Sequence, residues 1–273
     1  MDYINYRWYD REKIVGAKME INEIFINPTV KQVSFEVRFP NLFYVENRIG
    51  EFQSIIMKDF PESNLVIRRQ LLFTDVGPNV KMEDIESKLE KDSSSVKLWE
   101  FTSQKGVKVI ISSQTLVITS DHHKTYDMAD GDKFRDVISL VTSAFFKVMQ
   151  IPKATRVGLR YIDECPVIKK TKESFQSYYN SVFPLRRFDI EKADQMMFNG
   201  TFKSGKNYLR YVESLQKKDK KYVLILDFDG FTTDVIAENC LDVTDRLHKM
   251  ISEEFEKTAR EPLREYMRRK KNK

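Results

Sequence analysis

Arg156 and Arg160 have the residue type and the spacing of a small anion-binding site. In a strand over residues 156–163, alternate side chains point to opposite faces, so both arginines share one face with Gly158. Because glycine has no side chain, it leaves open sheet surface between two guanidinium groups, which suits a carboxylate or a phosphate. The alternative is structural: each arginine pairs with an acid on a neighbouring strand.

Tyr161 and His248 complete the set of residues that we predict to bind a ligand or a partner. Tyr161 belongs to the same strand but lies on its apolar face. His248 follows Leu247 in the last predicted helix, one residue away from the apolar stripe. No Ser or Cys at a predicted strand-to-helix turn accompanies His248 as a nucleophile. The sequence therefore predicts no catalytic residue.

An acid pair follows an apolar run in Leu224-Ile225-Leu226-Asp227-Phe228-Asp229-Gly230. This segment resembles the nucleophile motif of haloacid-dehalogenase-type phosphatases, in which the first Asp attacks phosphorus and both hold magnesium. Phe231 stands where that motif has Thr or Val, and only 44 residues follow Asp229, too few for the remaining strands of that fold. We therefore expect an antiparallel strand that ends in a turn at Asp229-Gly230.

Potential metal and phosphate ligands concentrate in two other places. Asp121-His122-His123 precedes Asp127, Asp130 and Asp132, but adjacent histidines on a strand point to opposite faces, and we interpret the segment as a polar loop that caps a helix. Lys203-Ser204-Gly205-Lys206 lacks the first Gly of a phosphate loop and the Ser or Thr after its Lys. The sequence predicts neither a metal nor a cofactor.

Cysteine content and hydropathy indicate a compartment. Cys165 and Cys240 form no CxxC motif and have no His at ligand spacing, which argues against zinc and against a disulfide framework. The polar start of the chain does not resemble a signal peptide, and apolar runs such as Tyr222–Leu226 are too short to span a bilayer. We expect a soluble cytoplasmic protein that does not contact a membrane.

The formal net charge of +5 is concentrated at the C-terminus. Residues 264–273 hold six bases and one acid, so the other 263 residues balance 40 bases against 40 acids. A nucleic-acid-binding domain normally carries excess positive charge. One interpretation of this tail is a solvated helix end, where the cations interact favourably with the negative C-terminal end of the helix dipole. The alternative is an RNA contact through Arg268, Arg269, Lys270 and Lys271.

Periodicity predicts an α+β fold. The residues of 33–39 alternate strictly between apolar and polar, and a helix with an apolar stripe follows and ends before Pro61. Two sets of three consecutive strands are each followed by a long helix, the second of which is interrupted at Pro262. We predict two pseudo-repeated units of antiparallel meander plus long helix, with the helices packed on one face of the sheets. The predicted organisation is an N-terminal extension (1–26), a first unit (27–168), a second unit (169–263) and a basic tail (264–273).

Several segments are similar to a family of uncharacterised, sporadically distributed bacterial and archaeal proteins of about 260 residues. The similarity covers residues 27–267, and its matching segments are Asn27-Pro28, Val33–Pro40, Thr155–Asp163, Leu247-His248 and Phe255-Glu256. The chain departs from the family in its N-terminal extension and in the Ser-rich insertion before Leu98. The family has no established activity, and its sporadic occurrence implies an accessory of mobile defence or toxin–antitoxin systems.

The sequence thus predicts a non-enzymatic binding or regulatory protein. Its ligand is either a protein partner, encoded nearby, or a small anion, bound around Arg156 and Arg160. The alternative is an RNA-binding or metal-independent RNA-processing protein that uses the basic tail.

Overall fold

A computed structural model describes residues 24–70, 94–122, 125–128 and 133–269. The strands in chain order are β1 (Val30–Arg38), β2 (Glu62–Gln70), β3 (Ser94–Thr102), β4 (Lys108–Ile111), β5 (Thr115–Ser120), β6 (Lys153–Pro166), β7 (Met196–Ser204), β8 (Asn207–Lys218) and β9 (Lys221–Ile236). The α-helices are α1 (Val45–Ile56), α2 (Phe134–Met149), α3 (Lys172–Tyr178), α4 (Cys240–Thr258) and α5 (Glu261–Arg268).

The nine strands of the described residues form one antiparallel sheet in the order β2-β3-β4-β5-β1-β6-β9-β8-β7. Strand β6 pairs with β1 on one side and with β9 on the other, so one sheet joins the elements of both predicted units. The mixed α+β class is confirmed. The pseudo-repeat and the unit boundaries remain predictions.

Helices α1 and α4 pack on the apolar face of this sheet. Val33, Phe35 and Val37 of β1 are fully buried on that face, whereas the alternate residues of β1 point to the other one. The rings of Phe52 (α1) and Phe101 (β3) meet edge to face with centroids 5.6 Å apart, and α4 packs on β9. The predicted alternation over 33–39 therefore gives the correct buried face.

Strand β9 continues through the position where the sequence predicts a turn. Asp227, Asp229 and Gly230 lie in the middle of this 16-residue strand, so the predicted turn is wrong. Gly230 leaves room for side chains of α4, because a Cβ at this position would lie 3.2 Å from Ile251 Cδ1 and 3.2 Å from Met250 Cε. The two aspartates point to the opposite face of the sheet, where they bind arginines.

The C-terminal region agrees with the predicted break. Helix α4 ends at Thr258, and α5 begins at Glu261 with Pro262 in its first turn, where the missing N–H costs nothing. Leu263 and Met267 of α5 are buried, and the backbone N–H of Asn27 donates to the carbonyl of Met267 at 2.8 Å. The first half of the predicted basic tail is therefore a packed helix.

Parts of the predicted organisation lie outside the described residues. They are residues 1–23 of the predicted extension, most of the Ser-rich insertion, and residues 270–273 of the tail. Among the helices of the described ranges, none is long and apolar enough to cross a membrane.

Candidate functional site

The four residues predicted to bind a ligand fall into two pairs on opposite faces of the sheet. Arg156 and Arg160 of β6 lie on the face opposite the helices. Tyr161 lies on the helix face, where its ring centroid is 6.0 Å from that of His248 in α4. The structure thus brings together Tyr161 and His248 and separates them from the arginines, as the period of two in a strand requires.

Arg156 is bound by carboxylates on both sides. Its Nη2 donates to both carboxylate oxygens of Asp229, at 2.7 and 2.9 Å, and its Nη1 donates to Glu36. The guanidinium carbon also lies 4.8 Å from the centroid of the Phe231 ring, a cation–π contact. The side chain is only 16% exposed and occupies the surface over Gly158. The open surface predicted at that glycine is therefore filled by the arginine itself.

Arg160 has a single carboxylate partner. Its Nε and Nη2 donate to the two oxygens of Asp227 at 2.8 and 2.7 Å, and this hydrogen-bonded pair raises the pKa of the Arg160 guanidinium. The arginine side chain remains 46% exposed. Both arginines thus have the cross-strand partners of the structural alternative, and the anion site at this face stays a prediction.

A cavity of about 140 Å³ lies on the helix side of the sheet, between β6, β9, α4 and the segment 125–128. Its polar lining is Thr125, Asp127, Asp163, His248 and Ser252, together with the rings of Tyr126 and Tyr161. Its apolar lining includes Phe25, Phe228, Ile251, Phe255 and Met267. Apolar walls with a few converging polar groups are the usual composition of a small-molecule site.

His248 is held in this cavity as a neutral imidazole. Its ring stacks on Tyr126 with centroids 4.0 Å apart and an interplanar angle of 10°. Burial lowers the pKa of His248 to about 4, although Asp127 and Asp245 both act to raise it. Ser252, one turn further along α4, lies 3.4 Å from His248 Nε2, which is long for a hydrogen bond to a hydroxyl.

Tyr126 is fixed in place through Asp245 of α4. Its hydroxyl donates to Asp245 Oδ1 at 2.7 Å, and Arg135 of α2 donates to both oxygens of the same carboxylate at 2.8 Å. Burial acts to raise the pKa of Asp245, but the hydrogen bonds from Arg135 and Tyr126 outweigh it, so this pKa is lowered. Arg135 therefore neutralises Asp245 and positions the ring that stacks on His248.

Asp163 is the cavity residue that the sequence prediction misses. Its side chain is buried, and Thr29 Oγ1 donates to its Oδ1 at 2.7 Å. Burial raises the pKa of Asp163 to about 7, although the Thr29 hydrogen bond acts to lower it. The alternation through Val157, Leu159 and Tyr161 places residue 163 on the buried face, so a carboxylate in phase with an apolar stripe is the signal that could have identified it.

The polar loop before α2 provides no metal site within the described residues. Asp121 and His122 are exposed there, and His123, Asp130 and Asp132 lie outside the described ranges. In the described part of the chain, no three His, Cys, Asp or Glu side chains lie close enough to hold a metal ion.

The basic residues proposed to bind RNA are only partly described. Arg268 forms an ion pair with Glu261, and Arg269 lies 3.7 Å from Glu265. Lys270 and Lys271 lie outside the described residues. The RNA interpretation therefore stays a prediction.

Comparison with known proteins adds no functional information. No protein-family model matches the chain, and no curated protein or solved structure is significantly similar to it. The resemblance to the sporadically distributed family thus rests on the quoted residues alone.

Proposed function

We propose that this protein is a non-enzymatic binding protein that holds a small molecule in the cavity between the sheet and α4. The observation that carries this proposal is the convergence of Asp163 and His248, whose pKa values are both shifted by burial, on one largely apolar cavity. Groups with perturbed pKa values in a concave apolar site are the usual mark of a functional site. A regulatory role rests on the lack of a catalytic motif in the sequence, and the link to mobile defence or toxin–antitoxin systems rests on the family resemblance alone.

The size of the cavity limits the ligand, or the part of it that enters. A volume of about 140 Å³ is close to that of an engineered apolar cavity of about 150 Å³ that binds benzene. We therefore propose a ligand that inserts one ring or a short branched alkyl group.

Both cysteines of the chain are free thiols, which favours the cytoplasm as the compartment.

A fragment screen tests this function directly. Ligand-observed NMR on the purified chain, with a library of single-ring fragments, should find binders that Ser252→Phe abolishes, because the new ring would fill the cavity. Glu253→Phe is the matched control, since Glu253 is an exposed neighbour on the same helix. Binding that survives Ser252→Phe in a folded protein, or a screen without any binder, would contradict the proposal.

A protein partner on the opposite face of the sheet is a second proposal. The exposed residues Arg38, Arg160 and Arg210 lie on the same face of the sheet as the stacked rings of Tyr208 and Phe231, whose centroids are 5.1 Å apart. Arg and Tyr are among the residue types enriched in protein interfaces. Binding to a purified product of a neighbouring gene should weaken on Arg160→Ala and not on Lys192→Ala, an exposed control elsewhere. Equal affinities for the two variants would contradict the assignment.

A further inference from the structure

Among the described residues, every charged group that lines the cavity is acidic. Asp127 and Asp163 contribute carboxyl groups, whereas the described lining includes neither Lys nor Arg. Arg135, which contacts the cavity residue Tyr126 through Asp245, already donates to both oxygens of that carboxylate. His248 adds no positive charge near neutral pH, because its pKa is about 4. An anion would therefore find no opposite charge in this lining, whereas a cation would find two carboxyl groups, of which Asp163 can give up its proton as the cation binds.

The cavity walls reinforce this preference. Five lining residues carry phenyl or phenol rings: Phe25, Tyr126, Tyr161, Phe228 and Phe255. The face of an aromatic ring attracts a cation, and a ring wall combined with a carboxylate is the chemistry that recognises organic ammonium groups. Acidic and aromatic side chains thus favour the same class of ligand by independent physical effects.

Asp163 has an acceptor available for such a group. Thr29 occupies Oδ1, and in the described part of the chain no other hydrogen bond to this carboxyl group is present. The side chain is 2% exposed, so a donor that reaches it must come through the cavity. Asp127, by contrast, is exposed and adds a second carboxyl group to the lining.

We infer that the ligand is an organic cation, a protonated amine attached to a ring or a short alkyl group, and that Asp163 binds its ammonium group. This inference rests on the proposed small-molecule function and gives it a ligand class. It departs from the small anion predicted from the sequence, because it uses the opposite face of the sheet. Burying an ammonium group requires a charged partner, so binding should release a proton from Asp163.

Three probes of matched shape test the ligand class: benzylamine, benzyl alcohol and benzoate. Isothermal titration calorimetry on the full chain at pH 7 should show benzylamine binding at least about tenfold more tightly than the other two. Asp163→Asn should remove most of this preference. Asp242→Asn should not, because Asp242 is exposed on α4 and does not line the cavity. Titrations in two buffers of different ionisation enthalpy should reveal the released proton.

The results distinguish an error in the ligand class from an error in the proposed small-molecule function. If benzyl alcohol or benzoate binds as tightly as benzylamine, and Ser252→Phe abolishes this binding, the class is wrong and the small-molecule function stands. If Asp163→Asn leaves the preference for benzylamine unchanged, the assignment of Asp163 is overturned. If no probe binds and the fragment screen finds no binder either, both proposals fall.

Discussion

The guanidinium group of Arg156 lies over Gly158, two residues along the same strand. A Cβ on Gly158 would lie 2.9 Å from Arg156 Cζ and closer still to Nη1. Such a contact is shorter than real Cβ atoms make, so any side chain at position 158 displaces the arginine. Displacing it would also disturb the bonds to Glu36 and Asp229. Glycine at position 158 thus leaves room for the guanidinium group of Arg156 between its two carboxylate partners.

Gly158→Ala should lower the free energy of unfolding by about 1–3 kcal/mol, the usual cost of overpacking. In an Arg156→Ala background the same substitution should cost much less, because the clashing guanidinium group is gone. Urea denaturation of the two single variants and the double variant gives the coupling energy directly. Additive effects would contradict the contact between Arg156 and Gly158.

Gly50→Ala is the matched control for this cycle. Gly50 lies inside α1, and a Cβ there would meet no atom within 4 Å. Because alanine has the higher helix propensity, this substitution should raise the free energy of unfolding by about 0.5–1 kcal/mol. A loss of stability similar to that of Gly158→Ala would show that the effect is not specific to the arginine cluster.

The two arginines should differ in their contributions to stability. Arg156→Ala leaves the largely buried carboxylate of Asp229 without its cation, whereas Glu36 keeps its ion pair with Arg38, so a loss of about 2 kcal/mol is expected. Arg160→Ala breaks one pair, that with Asp227, but the arginine side chain is 46% exposed, so water can take its place and the loss should be smaller, about 1 kcal/mol or less. Chemical denaturation of both variants in the same buffer measures the difference, and equal losses would contradict the geometry of the cluster.

Local patterns predicted most of the fold because they reflect burial on one face. The alternation in β1, the hairpin turns between β3, β4 and β5, and the break at Pro262 all depend on neighbouring residues. The turn predicted at Asp229-Gly230 was wrong because tertiary contacts decide that region. Gly230 admits the side chains of α4, and Asp229 binds Arg156, and neither contact has a signal in the local sequence.

The candidate site was predicted only in part. Its residues come from β6, α4 and a segment before α2, and no local pattern specifies that these elements meet. The sequence did identify Tyr161 and His248, and it placed Arg156 and Arg160 correctly on the opposite face. Its structural alternative, that acids on neighbouring strands pair with both arginines, agrees with the structure. It did not identify which acids these are, because strand register is a property of the whole sheet.

The C-terminal lysines allow a decisive test of the RNA alternative. The excess charge of the chain lies in its last ten residues, and Arg268 and Arg269 already have acidic neighbours. We therefore expect only weak binding of a single-stranded RNA oligonucleotide. The loss should be equal for Lys270→Ser/Lys271→Ser and for the control Lys220→Ser/Lys221→Ser, at the end of the β8–β9 turn and the start of β9. Electrophoretic mobility shifts over a salt series measure both. A selective loss for the tail variant would support RNA binding.

Asp163 should make stability fall as the pH rises. Its pKa is about 7 in the folded protein and 3.8 ordinarily, so between these pH values the folded state binds the extra proton. This group therefore destabilises the folded state progressively from about pH 4 to pH 7, by on the order of 4 kcal/mol at most. In Asp163→Asn that decline should vanish. Urea midpoints measured at half-unit intervals from pH 4 to pH 8 test this, and an unchanged profile would show that the carboxyl group titrates normally.

His248 should act in the opposite direction over an overlapping pH range. Its pKa is about 4 when folded and 6.5 ordinarily, so between these values the unfolded state binds the extra proton and stability rises with pH. In His248→Gln this rise, on the order of 3 kcal/mol at most, should disappear. Because Asp163 and His248 oppose each other, the wild-type profile should be flatter than that of either variant between pH 4 and 6.5. A steeper wild-type profile would mean that the two groups do not share this buried environment.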